Sequence, residues 1–218
     1  RYSVKSIINA ISDRTKIIFI ANPNNPTGTI LTHSEIEHIM SHTSKNTLVV
    51  LDEAYAEYAS HTDYPQSLEL IKTFPNLLIT RTFSKLYGLA GCRIGYGFST
   101  QSLINNIQKV RQPFNINSVA LDLAYASLAN TDFVKKSLYI NQTGKSFLTN
   151  ELRAHDFIIP ESNANFLFID TKKTDASSLC HQLAQRGIII RSMASFGCPT
   201  AVRVTIGTEQ QNTQFLKE

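Results

Sequence analysis

Three short apolar runs, Ile17-Ile18-Phe19-Ile20, Leu48-Val49-Val50-Leu51 and Leu77-Leu78-Ile79, constrain this chain more than any other feature. The first is bounded by turn residues, so it predicts a strand buried on both faces, as in a parallel sheet covered by helices. The other two predict further buried strands. Between the first two, Thr32-His33-Ser34-Glu35 has the form of a capping box, with Leu31 and Ile36 spaced for a hydrophobic staple. The helix it starts carries Ile36, Ile39 and Met40 inward. An earlier helix is predicted by Val4, Ile7, Ile8 and Ile11. Helices alternating with such strands predict an α/β fold with a mostly parallel sheet.

In an open α/β sheet, ligands bind beyond the carboxyl ends of the strands. The first run ends in Ala21-Asn22-Pro23-Asn24-Asn25-Pro26-Thr27-Gly28-Thr29, a loop whose prolines hold the preceding residues extended and so fix where Asn25 points. The second ends on Asp52-Glu53-Ala54-Tyr55, and the third leads into Arg81-Thr82-Phe83-Ser84-Lys85, with Arg93 eight positions after the lysine. Lysine forms a Schiff base with an aldehyde, while two hydroxyls and a guanidinium fork hold a phosphate dianion. Pyridoxal phosphate (PLP) satisfies Lys85, Thr82, Ser84 and Arg93 together. A lone lysine is most often a solvated surface residue. Convergence of Asn25, of Asp52 with Tyr55, and of Thr82 to Lys85 at three successive strand ends argues otherwise.

Beyond a further strand at Ile94 to Phe98 the pattern turns helical. Leu103, Ile104, Ile107 and Val110 share one face. Val119, Leu121, Leu123, Ala124, Ala126 and Leu128 make the next helix apolar nearly all round, which predicts a core helix. Phe133 to Leu152 predicts another helix. Strands are then expected at Asn165 to Ile169, Gly187 to Arg191 and Ala201 to Gly207, with a helix between the first two that is capped by Asp175 and stopped by Gly187. We place residues 1–115 in a larger domain, and 116–218 in an interdomain helix with a smaller C-terminal α/β domain.

Composition narrows the partners. Net charge is +4 and the 21 basic residues form no run, so nothing asks for nucleic acid, while an anionic small molecule suits the chain. Cys92, Cys180 and Cys198 are an odd, widely spaced set, which predicts a reducing cytoplasm and no disulfide framework. His33, His38 and His42 are expected on a solvated helix face, with no metal site. No apolar run approaches a membrane span.

Asn22-Pro23-Asn24-Asn25-Pro26-Thr27-Gly28, Asp52-Glu53-Ala54-Tyr55, Thr82-Phe83-Ser84-Lys85 with Arg93, and Val202-Arg203-Val204-Thr205-Ile206-Gly207 together resemble the fold-type I PLP-dependent aminotransferases, and most of all the histidinol-phosphate aminotransferase family. The resemblance implies part of a large three-layer αβα PLP-binding domain plus a smaller one. It also implies roles. Lys85 binds the cofactor and moves a proton at the substrate α-carbon; Asp52 pairs with the pyridine nitrogen; Asn25 and Tyr55 bond the 3′ oxygen. Thr82, Ser84 and Arg93 anchor the phosphate. Arg203 meets the substrate's anionic end and Arg191 a substrate phosphate. The implied reaction exchanges an amino group between L-glutamate and imidazole-acetol phosphate, giving 2-oxoglutarate and L-histidinol phosphate, in a cytoplasmic homodimer of histidine biosynthesis.

Only the C-terminal three-fifths of that family's pattern is matched, and Arg1 stands where an initiator methionine would. A fragment with weak or no activity of its own is therefore expected, as are sheet edges left uncovered. An aromatic amino acid aminotransferase and a threonine-phosphate decarboxylase of the same fold remain open, as does an inactive remnant serving as an assembly partner.

Overall fold

The structure, a computed structural model, describes residues 1–218. Two compact units form, one from Arg1–Asn24 and Ile30–Val134, the other from Asn25–Thr29 and Lys135–Glu218. In chain order the helices are α1 (Val4–Ala10), α2 (His33–Ser41), α3 (Ser67–Thr73), α4 (Gln101–Val110), α5 (Ser118–Ala129), α6 (Thr131–Ala154), α7 (Ala176–Gln185) and α8 (Glu209–Lys217). The strands are β1 (Ile17–Ala21), β2 (Leu48–Asp52), β3 (Leu77–Thr82), β4 (Gly95–Phe98), β5 (Phe166–Asp170), β6 (Arg191–Ser192) and β7 (Ala201–Thr205).

The first unit carries a sheet in the order β1-β2-β3-β4, parallel except for β4. Its core joins Ile20, Val49, Leu51, Leu77 and Ile79 to Ile36, Ile39, Met40 and Leu70 from α2 and α3. Each such fully buried aliphatic side chain contributes about 1.5–3 kcal/mol. The entry to α2 is fixed as its sequence dictates. The Thr32 hydroxyl accepts from the Glu35 amide and the Glu35 carboxylate accepts from the Thr32 amide, with Leu31 and Ile36 both buried beside them. Thr32→Ala is expected to cost about 1 kcal/mol, read as a lowered urea midpoint with unchanged slope.

In this unit two expectations are corrected. β1 is not buried on both faces: Ile17 is half exposed and Phe19 is 72% exposed, because β1 is an edge strand with one partner and nothing in the chain covers that face. Nor is α5 a core helix. Its buried residues are Ala120 and Ala124, one turn apart, while Val119, Leu121, Leu123 and Leu128 are exposed. An all-apolar pattern has no periodicity to choose the inward face, and the small residues won it.

The second unit is an antiparallel sheet, β5-β7-β6, whose core packs Leu167, Ile169, Val202 and Val204 on Leu148 and Leu152 of α6 and on Ala176 of α7. Asp175 caps α7 by accepting from the Ser178 amide, and Gly187 follows its end at φ +81°. The strand expected over Gly187 to Arg191 is reduced to Arg191–Ser192, and Ile189 is 90% exposed.

Candidate active site

Parallel pairing aligns the carboxyl ends of β1, β2 and β3, with Ala21 opposite Asp52 and Asp52 opposite Thr80. The ladder runs on past the strands, from the Asn22 amide to the Asp52 carbonyl (2.9 Å) and from the Glu53 amide to the Thr80 carbonyl (2.8 Å). Asp52 is therefore held by backbone on both sides while its carboxylate is exposed. One oxygen accepts from the Ala54 amide at 3.2 Å, which turns the chain, and Oδ2 is left for another donor. Tyr55 follows, buried, and the Lys85 Nζ lies over its ring 5.5 Å from the centroid.

Lys85 itself is exposed, on a loop that closes on its own backbone. The Phe83 amide donates to the Ile94 carbonyl (3.2 Å), the Leu89 amide to the Phe83 carbonyl (3.0 Å) and the Gly88 amide to the Lys85 carbonyl (3.1 Å). Beneath it, Phe83 and Ile94 pack on Ala120 and Ala124, so the small face of α5 is what seats the lysine loop. Gly95 is required where β4 meets β3, since a Cβ there would stand 2.7 Å from the Arg81 carbonyl oxygen. Thr82 accepts from the Ser84 amide at 3.0 Å, which leaves its hydroxyl proton available to donate. Arg93 is left-handed at φ 53° and one Nη donates to the Ala90 carbonyl at 2.7 Å, with the rest of the fork's donors available.

The second unit brings together Asn25, Arg191 and Arg203. Arg191 and Arg203 are direct partners across β6 and β7, so their side chains share one face of the sheet. Two like charges so placed repel unless an anion joins them. Arg203 also donates to the Asn25 side-chain oxygen at 2.6 Å and stacks 4.9 Å from the Phe166 ring centroid, while Arg191 is exposed beside Phe196. The loop carrying Asn25 is pinned where the Asn163 amide donates to the Gly28 carbonyl (2.8 Å). Gly28 has φ +72°, and a side chain on it would meet the Ser162 Cβ at 2.9 Å. The Ser162 carbonyl accepts from the buried Lys145 Nζ at 2.9 Å; burial pulls that amine below its ordinary range, with the Glu161 charge partly offsetting.

Asp52, Tyr55, Thr82, Ser84, Lys85 and Arg93 thus lie in the first unit, and Asn25, Arg191 and Arg203 in the second. Four further residues, Glu53, Arg81, Ser67 and Tyr64, support this end of the sheet. Glu53 is fully buried and paired with Arg81, and it accepts from the Ser67 hydroxyl. Tyr64 sits beside them, its hydroxyl donating to the Asn22 carbonyl at 2.6 Å, which docks the segment that carries it. The available clue was two charges flanking apolar strand ends in alternation with Asp52 and Thr82.

The donor set fits PLP. An exposed lysine amine, an exposed carboxylate at a strand end, two hydroxyls and a guanidinium occur within one closed sheet edge and loop. The family model for class I and II aminotransferases matches residues 2–218, and the chain belongs to that family. A histidinol-phosphate aminotransferase of Nitrosococcus oceani is 43% identical over 99% of this chain and 58% of its own length. One from Brevibacillus brevis is 41% identical over 99% of this chain and 59% of its own. Among solved structures, histidinol-phosphate aminotransferase from Sinorhizobium meliloti, in complex with pyridoxal-5'-phosphate, superposes with a TM-score of 0.89 at 27% identity, covering 99% of this chain and 59% of that one. The chain spans about three-fifths of the length of the curated relatives it matches.

Proposed function

We propose that this chain carries the PLP-holding and substrate-anion-holding groups of a histidinol-phosphate aminotransferase, which moves an amino group between L-glutamate and imidazole-acetol phosphate in L-histidine biosynthesis. The observation that carries the class of chemistry is that neighbouring parallel strands end on Asp52 and on Thr82, with Lys85 over Tyr55. When bound, PLP supplies an electron sink for the bond pair left at a deprotonated α-carbon. The protein's own groups do the rest. Lys85 would take and return the α-proton; Asp52 would hold the proton on the ring nitrogen; Thr82, Ser84 and Arg93 would fix the cofactor phosphate; Tyr55 would donate to the 3′ oxygen. We assign residues 1–115 to part of the cofactor domain and 116–218 to the interdomain helix and smaller domain, in a cytoplasmic homodimer. No helix is long and apolar enough to cross a membrane.

Facing arginines on β6 and β7 favour a phosphate ester over a free aromatic amino acid, because guanidinium forks bind phosphate through paired bonds. Adding PLP, reducing with borohydride and mapping the adduct tests the cofactor assignment, with Lys85 the expected site. For substrate, Arg191→Ala is expected to weaken use of the phosphorylated amine by about ten- to a hundredfold in kcat/KM, the worth of one charged hydrogen bond, and to leave the unphosphorylated analogue nearly unaffected. Equal losses on both compounds would remove Arg191 from the phosphate site.

A further inference from the structure

The Glu53 carboxylate is completely buried one residue after Asp52, in a place where nothing in the proposed chemistry uses it. Both of its oxygens are engaged. Oε2 accepts from the Arg81 Nε at 2.9 Å and lies 2.8 Å from an Arg81 Nη, and Oε1 accepts from the Ser67 hydroxyl. Arg81 is itself one residue before Thr82, with its side chain 24% exposed. Side chains alternate across a strand. Asp52 and Thr80 are partners in parallel register and so share a face, and Thr82 follows Thr80 on that face. Glu53 and Arg81 occupy the alternate positions, behind the sheet edge that presents Asp52 and Thr82.

A buried ion pair is a poor source of stability, since desolvation offsets most of its attraction, but its geometry is specific and it is costly to break by halves. Burial pushes the Glu53 carboxyl up, with Ser67 and Arg81 pulling it back. Burial also works against the Arg81 cation, which the Glu53 charge outweighs.

We propose that Glu53 and Arg81 are positioning residues, a clasp on the rear of the sheet that holds the end of β2 against the end of β3. On the assignment of Asp52 and Lys85 to PLP, the clasp sets the carboxylate for the ring nitrogen relative to the Thr82–Lys85 loop. Ser67 extends it to the start of α3.

The test separates positioning from plain stability. Glu53→Gln strands the guanidinium; Glu53→Gln with Arg81→Met removes both charges. The single variant is expected to lower Tm and to speed amide hydrogen exchange about tenfold or more in peptides containing residues 52–56 and 82–88, with β7 peptides unchanged. The double variant is expected to regain most of the Tm while exchange in those two peptides stays fast. It should also take up PLP about tenfold more weakly and show a shifted pH midpoint of the lysine-adduct absorption band. Unchanged local exchange in Glu53→Gln overturns the proposal. So does a double variant that recovers exchange, PLP affinity and band midpoint along with Tm, because the pair then only avoids a stranded charge. The exchange measurement needs no cofactor, so it decides the clasp by itself. Failure of the full-length protein to form a Lys85 adduct counts against the cofactor assignment instead.

Discussion

On the proposed assignment, Lys85→Ala in the full-length protein is expected to abolish the borohydride-fixed PLP adduct and to lower transamination at least about a thousandfold, the scale of a lost general base that would also be the covalent attachment point. The measurement is mass mapping of the reduced protein, alongside single-turnover kinetics with the amino donor. The structure makes the expectation sharp because no other lysine shares the setting. Lys145 is buried and bonded to the Ser162 carbonyl. The exposed Lys85 amine alone lies over Tyr55 on a loop closed by its own backbone. An adduct that persisted on another lysine in Lys85→Ala would overturn the assignment. Lys85→Arg is the companion variant: it keeps the charge over the Tyr55 ring but cannot form the covalent bond, so it should fold as the parent does and still give no adduct.

How much of this was legible in the sequence differs by element. The three strand ends were, because a short apolar run followed by a polar loop gives both the strand and its carboxyl end without knowledge of neighbours. The α2 entry was legible for a similar reason: a capping box is local, and Thr32 with Glu35 behaves in the fold as the pattern dictates. Facing of Arg191 and Arg203 was only half legible. Both residues could be placed in the smaller domain, but their register depends on a strand pairing across the Phe196 turn that no local pattern encodes.

What the sequence misled on were the surfaces that depend on what covers them. Apolar content said that Phe19 and the leucines of α5 belong inside, yet burial is decided by neighbours, and β1 has a partner on one side only. On α5 the outcome turned on size. Ala120 and Ala124 fit closely beneath Phe83 and Ile94, where a leucine would hold the helix off the lysine loop. The Glu53 clasp left only a faint trace, for the opposite reason. A glutamate and an arginine 28 positions apart look like two solvated charges until β2 and β3 are set side by side.

Asp52→Asn is the second change expected to have a large effect, and it acts on chemistry rather than attachment. The carboxylate sits at a strand end held by backbone bonds from Asn22 on one side and toward Thr80 on the other, so the amide should occupy the same place without disturbing the sheet. What changes is charge. On the proposed pairing of Asp52 with the ring nitrogen, an asparagine would not hold a proton there as a carboxylate would, and stabilisation of charge at the α-carbon would weaken. In the full-length protein, transamination is expected to fall about a hundred- to a thousandfold on that assignment, the range for removing one preorganised electrostatic partner of a developing charge. PLP affinity should weaken about ten- to a hundredfold, the worth of a charged hydrogen bond. The lysine adduct, by contrast, should still form, since Lys85 and its loop are untouched. That pattern, adduct retained and turnover lost, separates Asp52 from Lys85. Equal loss of both in Asp52→Asn, with an unchanged Tm, would mean that the carboxylate anchors the cofactor and does not tune it.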